Sequence, residues 1–322
     1  MSTQIDIETP QAVTAQAPAM VALATKVGQP TQYEPAPVLQ LKMAVSRYDV
    51  ATVEPRDDKE VLVGFEDPPQ NIIDYQDIPH QDLAYVFRAV DELRDDLARP
   101  RTTSGVEITV QKNIPFDTHL GGQGATAAAV LVALTRLWDA NIAREDLVRI
   151  AHRVGRGVAE SITGGALMMR ETVIEETLTQ VLTHRELAAV IVPAAADVEA
   201  DEVVQTLHAL RRAQQDDPRG EVLEFQPALL QALAQGNAEQ VALYMHNDFQ
   251  PAMVSILPEH NDWLTAGMAE GALAAQTIAR GPSLVFMARD FQHATEVAER
   301  FEERMEIAAI AEYGPVSGAH IV

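Results

Sequence analysis

Three glycines in four residues, Gly121-Gly122-Gln123-Gly124, separate an alternating apolar segment (Val106, Ile108, Val110) from an alanine-rich run that keeps a helical pattern through Trp138. Glycine loses the most conformational freedom on folding, so such a cluster marks a tight connection rather than the interior of a helix or strand. A chain that runs strand, glycine loop, helix sets the helix N-terminus, with its unpaired N–H groups and positive dipole end, beside the end of the strand. That arrangement can hold a phosphate or serve as an ordinary turn, and the loop by itself does not decide between them.

Composition narrows the classes. At 322 residues the chain exceeds what one core usually organises, which predicts two domains. Hydrophobic residues make up 47% and charged residues 22%, a globular balance rather than a disordered one. With 24 Lys and Arg against 47 Asp and Glu the formal net charge is −23, and no basic run reverses the sign locally, so nucleic acid and membrane surfaces are disfavoured partners. A surface this acidic also fits a high-salt environment. The lack of cysteine removes disulfides, thiolate metal sites and a cysteine nucleophile, and the nine histidines show no metal-binding spacing, so no protein-bound metal is expected. No window approaches the roughly 20 apolar residues of a membrane span, and residues 1–16 lack a signal-like pattern. A cytoplasmic location is the expectation, with residues 1–16 as a flexible extension and the oligomeric state left open.

Strand patterns occur at residues 38–55, broken by a turn at 46–49, and at 60–65, 187–193, 272–279, 283–288 and 307–310. Helical spacing occurs at 83–97, 146–154, 203–212, 227–234 and 294–305. Strands and helices mix without strict βαβ alternation, which predicts an α+β protein divided at residues 17–184 and 185–322. Met168 and Met169 read as buried strand packing, Trp138 and Trp263 as core or junction residues, and His246-Asn247-Asp248 as a helix-end cap. The acidic runs at 171–176 and 299–306 read as solvated faces.

Several segments fall in a telling order. Ala17-Pro18-Ala19 lies in the first strand, then come Tyr33, Tyr48-Asp49, Ile114-Pro115 through Leu120-Gly121-Gly122, Ala127-Ala128-Ala129, Leu137-Trp138, Gly155 and Gly164-Gly165. Asn247-Asp248-Phe249 with Ser255, Gly281-Pro282-Ser283, and Gly314-Pro315-Val316 with Gly318-Ala319 follow. In that order, over nearly the whole chain, they resemble the GHMP small-molecule kinases, most of all the actinobacterial 4-diphosphocytidyl-2-C-methyl-D-erythritol kinases of non-mevalonate isoprenoid biosynthesis. The resemblance implies an α+β GHMP kinase fold, with an N-terminal ribosomal-S5-like domain, a C-terminal ferredoxin-like domain and a cleft between them. There the family uses ATP and Mg²⁺ to phosphorylate a hydroxyl of a cytidine-diphosphate-linked methylerythritol. By the same resemblance the nucleotide would meet His119, Leu120, Gly121, Gly122, Gln123, Gly124, Ala125 and Thr126, and the substrate Ala22, Tyr33, Glu34, Arg280 and Gly281.

The departures fall on residues that handle charge. Met20 stands where the resemblance puts a catalytic lysine, Ala22 where it puts an asparagine, and Gly157 where it puts the catalytic aspartate; Val158-Ala159-Glu160 replaces Val-Pro-Phe. A thioether cannot stabilise developing charge, which is most of what a kinase must do. In the loop, His119 replaces a glycine, Asp117 adds a charge that repels a triphosphate, and both serine hydroxyls are gone, with Thr126 keeping one hydroxyl. Arg280, in Ile278-Ala279-Arg280-Gly281-Pro282, either reaches an anion or fills the space of the nucleotide. Arg156 and Glu160 are candidate substitutes for the lost pair, although three residues' displacement is expected to point Glu160 elsewhere, and both otherwise read as solvated charges. Tyr33 would stack on a ring and Glu34 would accept from a cytosine amine.

Three functions compete. The favoured one is a catalytically impaired paralogue, a pseudokinase that binds a nucleotide, an isoprenoid-pathway intermediate or a partner protein. The second is an active kinase with relocated groups, using ATP and Mg²⁺, and the third a scaffold with a closed cleft. An open cleft with Tyr33, Thr126 and Arg280 converging favours a ligand, whereas one filled by His119, Gln123 and Arg280 favours the scaffold.

Overall fold

The extended residues near the N-terminus pair as two long antiparallel strands, β1 (Val13–Val27) and β2 (Val38–Arg56), the spine of the larger sheet. The computed structural model describes residues 12–30, 35–67, 71–72, 75–172, 176–196, 198–214 and 223–322. On the same sheet lie β3 (Val61–Asp67) and the short β4 (Asn71–Ile72), then β5 (Gly105–Gln111), β6 (Ala166–Glu171) and β7 (Glu176–Val181). β2 takes β5 along one half of its length and β6 along the other. The turn expected at residues 46–49 is instead a bulge. Ser46 and Arg47 fall out of register between the pairs Ala19–Val45 and Pro18–Tyr48, where Pro18 has no N–H to give the ladder.

Helices α1 (His80–Asp96), α2 (Gly122–Leu137), α3 (Arg144–Val154) and α4 (Val158–Thr163) belong to this part of the fold. α2 lies between the β1–β2 spine and α1 and is buried nearly all round, which accounts for its alanines: small side chains let it pack closely on both sides.

After β8 (Leu187–Val192) come α5 (Ala200–Gln214), α6 (Pro227–Gln235), α7 (Ala238–Tyr244), β9 (His246–Asn247), α8 (Gln250–Ile256) and α9 (Glu259–Ala269). The chain ends with β10 (Ala274–Thr277), β11 (Leu284–Ala288), α10 (Phe291–Met305), β12 (Ile310–Gly314) and β13 (His320–Ile321). Strands β10-β11-β8-β12 form an antiparallel sheet in that order, a ferredoxin-like arrangement. Both faces of β8 are covered. Leu187, Ala189 and Ile191 enter the large core with Val285 and Met287, while Ala188, Val190 and Val192 enter a second core with Val297 and Phe301 of α10.

Three boundaries differ from the sequence reading. β1 begins at Val13, so residues 13–16 belong to the sheet rather than to an extension. β9 and β13, both beyond residue 185, pair with β1. The last core strand starts at Ile310 and not at 307, because Glu306 turns left-handed (φ 57°) to end α10, leaving 307–309 as a connection. His246-Asn247-Asp248 are β9 and its exit rather than a helix cap: Asp248 accepts the Val27 N–H at 2.7 Å and an Arg211 N–H at 2.9 Å. No helix among the described residues is long and apolar enough to cross a membrane.

One buried carboxylate ties the sheet to α2. Asp49 Oδ1 accepts the N–H groups of Asn113 (2.9 Å) and Ile114 (2.8 Å), and Oδ2 accepts Lys112 Nζ (2.5 Å) and Thr126 Oγ1 (2.8 Å). All four lone-pair directions are used. Asp49→Ala strands the buried Lys112 ammonium, and the expected loss is about 3–5 kcal/mol of unfolding free energy in urea. A loss below roughly 1 kcal/mol, the scale of an exposed pair, would show that the network does not hold the fold together.

Candidate functional site

The glycine loop and the start of α2 fall where the sequence puts them, and the backbone keeps a glycine-like path even where glycine is absent. Asp117, His119 and Gly121 all have positive φ, at 56°, 56° and 78°. For Asp and His this costs on the order of 1 kcal/mol each, and left-handed residues at alternate positions turn neighbouring N–H groups toward one side, as anion-binding loops do. The Met20 N–H donates to the Leu120 carbonyl at 3.0 Å, fastening the loop to β1. From the other side the β10–β11 turn closes on it. Ser283 Oγ donates to the Thr118 carbonyl at 2.7 Å, and a Cβ at Gly281 would lie 2.3 Å from that of His119, so only glycine fits there.

Met20, Ala22, His119, Gly121, Gly122, Gln123, Gly124, Arg156, Gly157, Glu160, Arg280 and Gly281 line a single cleft of ≈ 440 Å³. The cleft is open to solvent, and within it the Gln123 amide lies 3.2 Å from Oδ2 of Asp82, another of its lining residues. Leu120, Ala125 and Thr126 do not line it. All three are buried beneath the loop, and the Thr126 hydroxyl is committed to Asp49. Tyr33 and Glu34 lie outside the described residues.

A residue that sequence reasoning passed over completes the site. Lys42 on β2 sits directly across from Ala22, and its ammonium donates to both oxygens of Glu160 at 2.8 Å. Glu160 therefore does not point elsewhere as expected. Gly157 caps α4, Glu160 comes one turn in, and Lys42 supplies the charge that lets a carboxylate only 2% exposed remain buried. A lysine and a carboxylate thus stand as a pair, one strand from Met20 and one turn from Gly157. A signal existed: Lys42 is a lone charge in the strand run Leu39, Leu41, Met43.

The cleft's electrostatics are close to self-neutralised. Among the described residues that line it, Lys42, Lys112, Arg156 and Arg280 face Asp82, Asp117, Glu160, Glu171 and Glu176. Every one of these cations already has a carboxylate partner: Glu160 for Lys42, Asp49 for Lys112, Glu171 for both arginines. Arg280 is accordingly ion-paired and mostly buried, whereas Arg156 is ion-paired yet still the solvated charge expected of it. Burial lowers the His119 pKa, with Arg280 adding to the effect against Asp117, so the ring is neutral at pH 7. Burial raises Asp82, opposed by Lys112 and Gln123. The loop backbone suits a phosphate; the Thr126 hydroxyl is taken by Asp49, and no group of three His, Asp or Glu among the described residues is placed to hold a metal by itself, so a magnesium ion would be held through the phosphates that carry it.

Burial also raises the Glu176 pKa, with Glu160 adding to the effect and Lys42 opposing it. Because the folded pKa lies above the unfolded one, ionising Glu176 costs stability as pH rises through it, and nothing is lost below the unfolded value of 4.5. Glu176→Gln should therefore unfold at higher urea than wild type at pH 7, with the gap closing toward pH 4. A gap that persists at pH 4 would trace the gain to packing instead.

The N-terminal domain model of the GHMP kinases matches residues 84–168. The 4-diphosphocytidyl-2-C-methyl-D-erythritol kinase of Nocardioides sp. is 32% identical over 306 residues, covering 95% of this chain and 98% of that protein. Its counterpart in Paenarthrobacter aurescens is 29% identical over 316 residues, 96% of each. A crystal structure of a 4-(cytidine 5'-diphospho)-2C-methyl-D-erythritol kinase superposes with TM-score 0.72 at 22% identity, covering 93% of this chain and 98% of the other. Sequence, fold and loop geometry agree: the chain belongs to the GHMP kinase family.

Proposed function

We propose that this protein is a catalytically impaired member of the family that holds a phosphorylated small molecule in its cleft. The nucleotide and the cytidine-diphosphate compound named for its relatives are the first candidates. The observation that carries the reading is the pairing of charge. Met20 and Gly157 contribute none, and each cation in the cleft is already held by a carboxylate, so little is left to stabilise the charge that develops in phosphoryl transfer. The open cleft and the left-handed loop support binding over a purely structural role.

One observation favours a second reading, an active kinase with relocated groups. In it Glu160 takes the proton of the attacking hydroxyl and Lys42 faces the transferred phosphoryl. Calorimetry with ATP and Mg²⁺, then with the cytidine-diphosphate methylerythritol, alongside an ADP-release assay, separates them. Binding without turnover is expected. A Cβ at Gly157 would meet only Gly124 Cα at 3.8 Å, so an aspartate there has space, at the cost of backbone strain from the φ of 80°. The double variant Met20→Lys, Gly157→Asp is therefore expected to release ADP about 10²-fold above the background that the wild type shows. Wild-type turnover that Lys42→Met abolishes would overturn the impaired reading in favour of the relocated pair.

A further inference from the structure

Glu171, at the end of β6, is shared by two arginines from distant parts of the chain. Arg156, between α3 and α4, meets Oε1 at 2.6 Å, and Arg280, in the β10–β11 turn, meets Oε2 at 2.5 Å. One carboxylate thus faces two guanidinium groups. Arg280 is firmly presented. Ala279 before it has a left-handed φ of 48°, and its carbonyl accepts from Asn247 Nδ2 at 2.8 Å. The guanidinium itself lies 5.7 Å from the centre of the Phe249 ring. Through Ser283 and Gly281 the same turn is fixed to the phosphate loop. Arg156 is 69% exposed and therefore easily repositioned.

We infer that Arg156 and Arg280 form a receptor for a terminal phosphate of the cleft's ligand, and that Glu171 occupies this receptor as an internal substitute until the ligand arrives. The inference deepens the reading above and rests on it. A phosphate monoester carries a charge of about −1.5 to −2 at pH 7 and offers three acceptor oxygens, so it answers two planar guanidinium forks better than a single carboxylate does. The other nearby cation, Lys42, is already satisfied by Glu160, so Glu171 is the group that must give way.

The test is calorimetric titration with pyrophosphate, which has no base or sugar, and separately with ATP and CTP. Glu171→Gln keeps the size of the side chain and removes its charge, and should tighten pyrophosphate about tenfold. Arg156→Gln, at an exposed position where folding is not at stake, should weaken it about tenfold in either background. Equal thermal melting of the variants would rule out unfolding as the cause. Pyrophosphate affinity indifferent to Glu171→Gln or to Arg156→Gln, or no pyrophosphate binding by any variant at millimolar concentration, overturns the receptor. If ATP or CTP still binds in those cases, the proposed function stands without it. A pyrophosphate response that follows both substitutions, with no nucleotide bound, supports the receptor and overturns the nucleotide part of the proposed function.

Discussion

Everything in the larger sheet that positions the cleft depends on Asp49. Its four hydrogen bonds join β2, the exit of β5 and the second turn of α2, so the glycine loop is held in place by a charge buried well below it. The same bonds remove two groups from chemistry. Lys112 and the Thr126 hydroxyl, which stand nearest the helix start, are spent on structure. A buried ion pair need not add net stability over apolar packing, but once present it cannot lose one partner cheaply, which makes the arrangement self-preserving.

That division between framework and chemistry runs through the whole site. The backbone path of the loop survives with Asp117 and His119 in left-handed conformations that glycine would adopt without strain. Around it the cations of the cleft are each set against a carboxylate. Lys42 and Glu160 keep company close to Met20 and Gly157, and Arg280 stands in a turn that the resemblance fills with small residues. A fold can thus keep its cleft while changing what the cleft answers to.

Much of this was legible in the sequence, and the failures have physical causes. The helical spacing of Leu83, Val86, Val90 and Leu93 and the apolar run of β8 named their elements directly, because each buries a face of definite period. The strand–loop–helix order located the cleft. Lys42 was missed because its meaning comes from cross-strand register with Ala22, a contact between residues 20 positions apart in the chain that no local pattern reports. Glu160 was misjudged because the start of α4 rotates it back toward the cleft, which depends on Gly157 acting as a cap. For Thr126 the sequence left a ligand hydroxyl and the commoner structural role of a helix-start threonine both open, and the structure takes the second, through a carboxylate 77 residues earlier that no local pattern connects to it. The bulge at residues 46–49 resembled a turn because both interrupt an alternating pattern in the same way.

The contact between Gly281 and His119 leaves no room for a single added carbon between the β10–β11 turn and the phosphate loop. Two walls of the cleft therefore meet in a corner with no slack, closed further by the Ser283 hydroxyl on the Thr118 carbonyl. Selection at that corner works by exclusion, admitting only what fits a fixed shape.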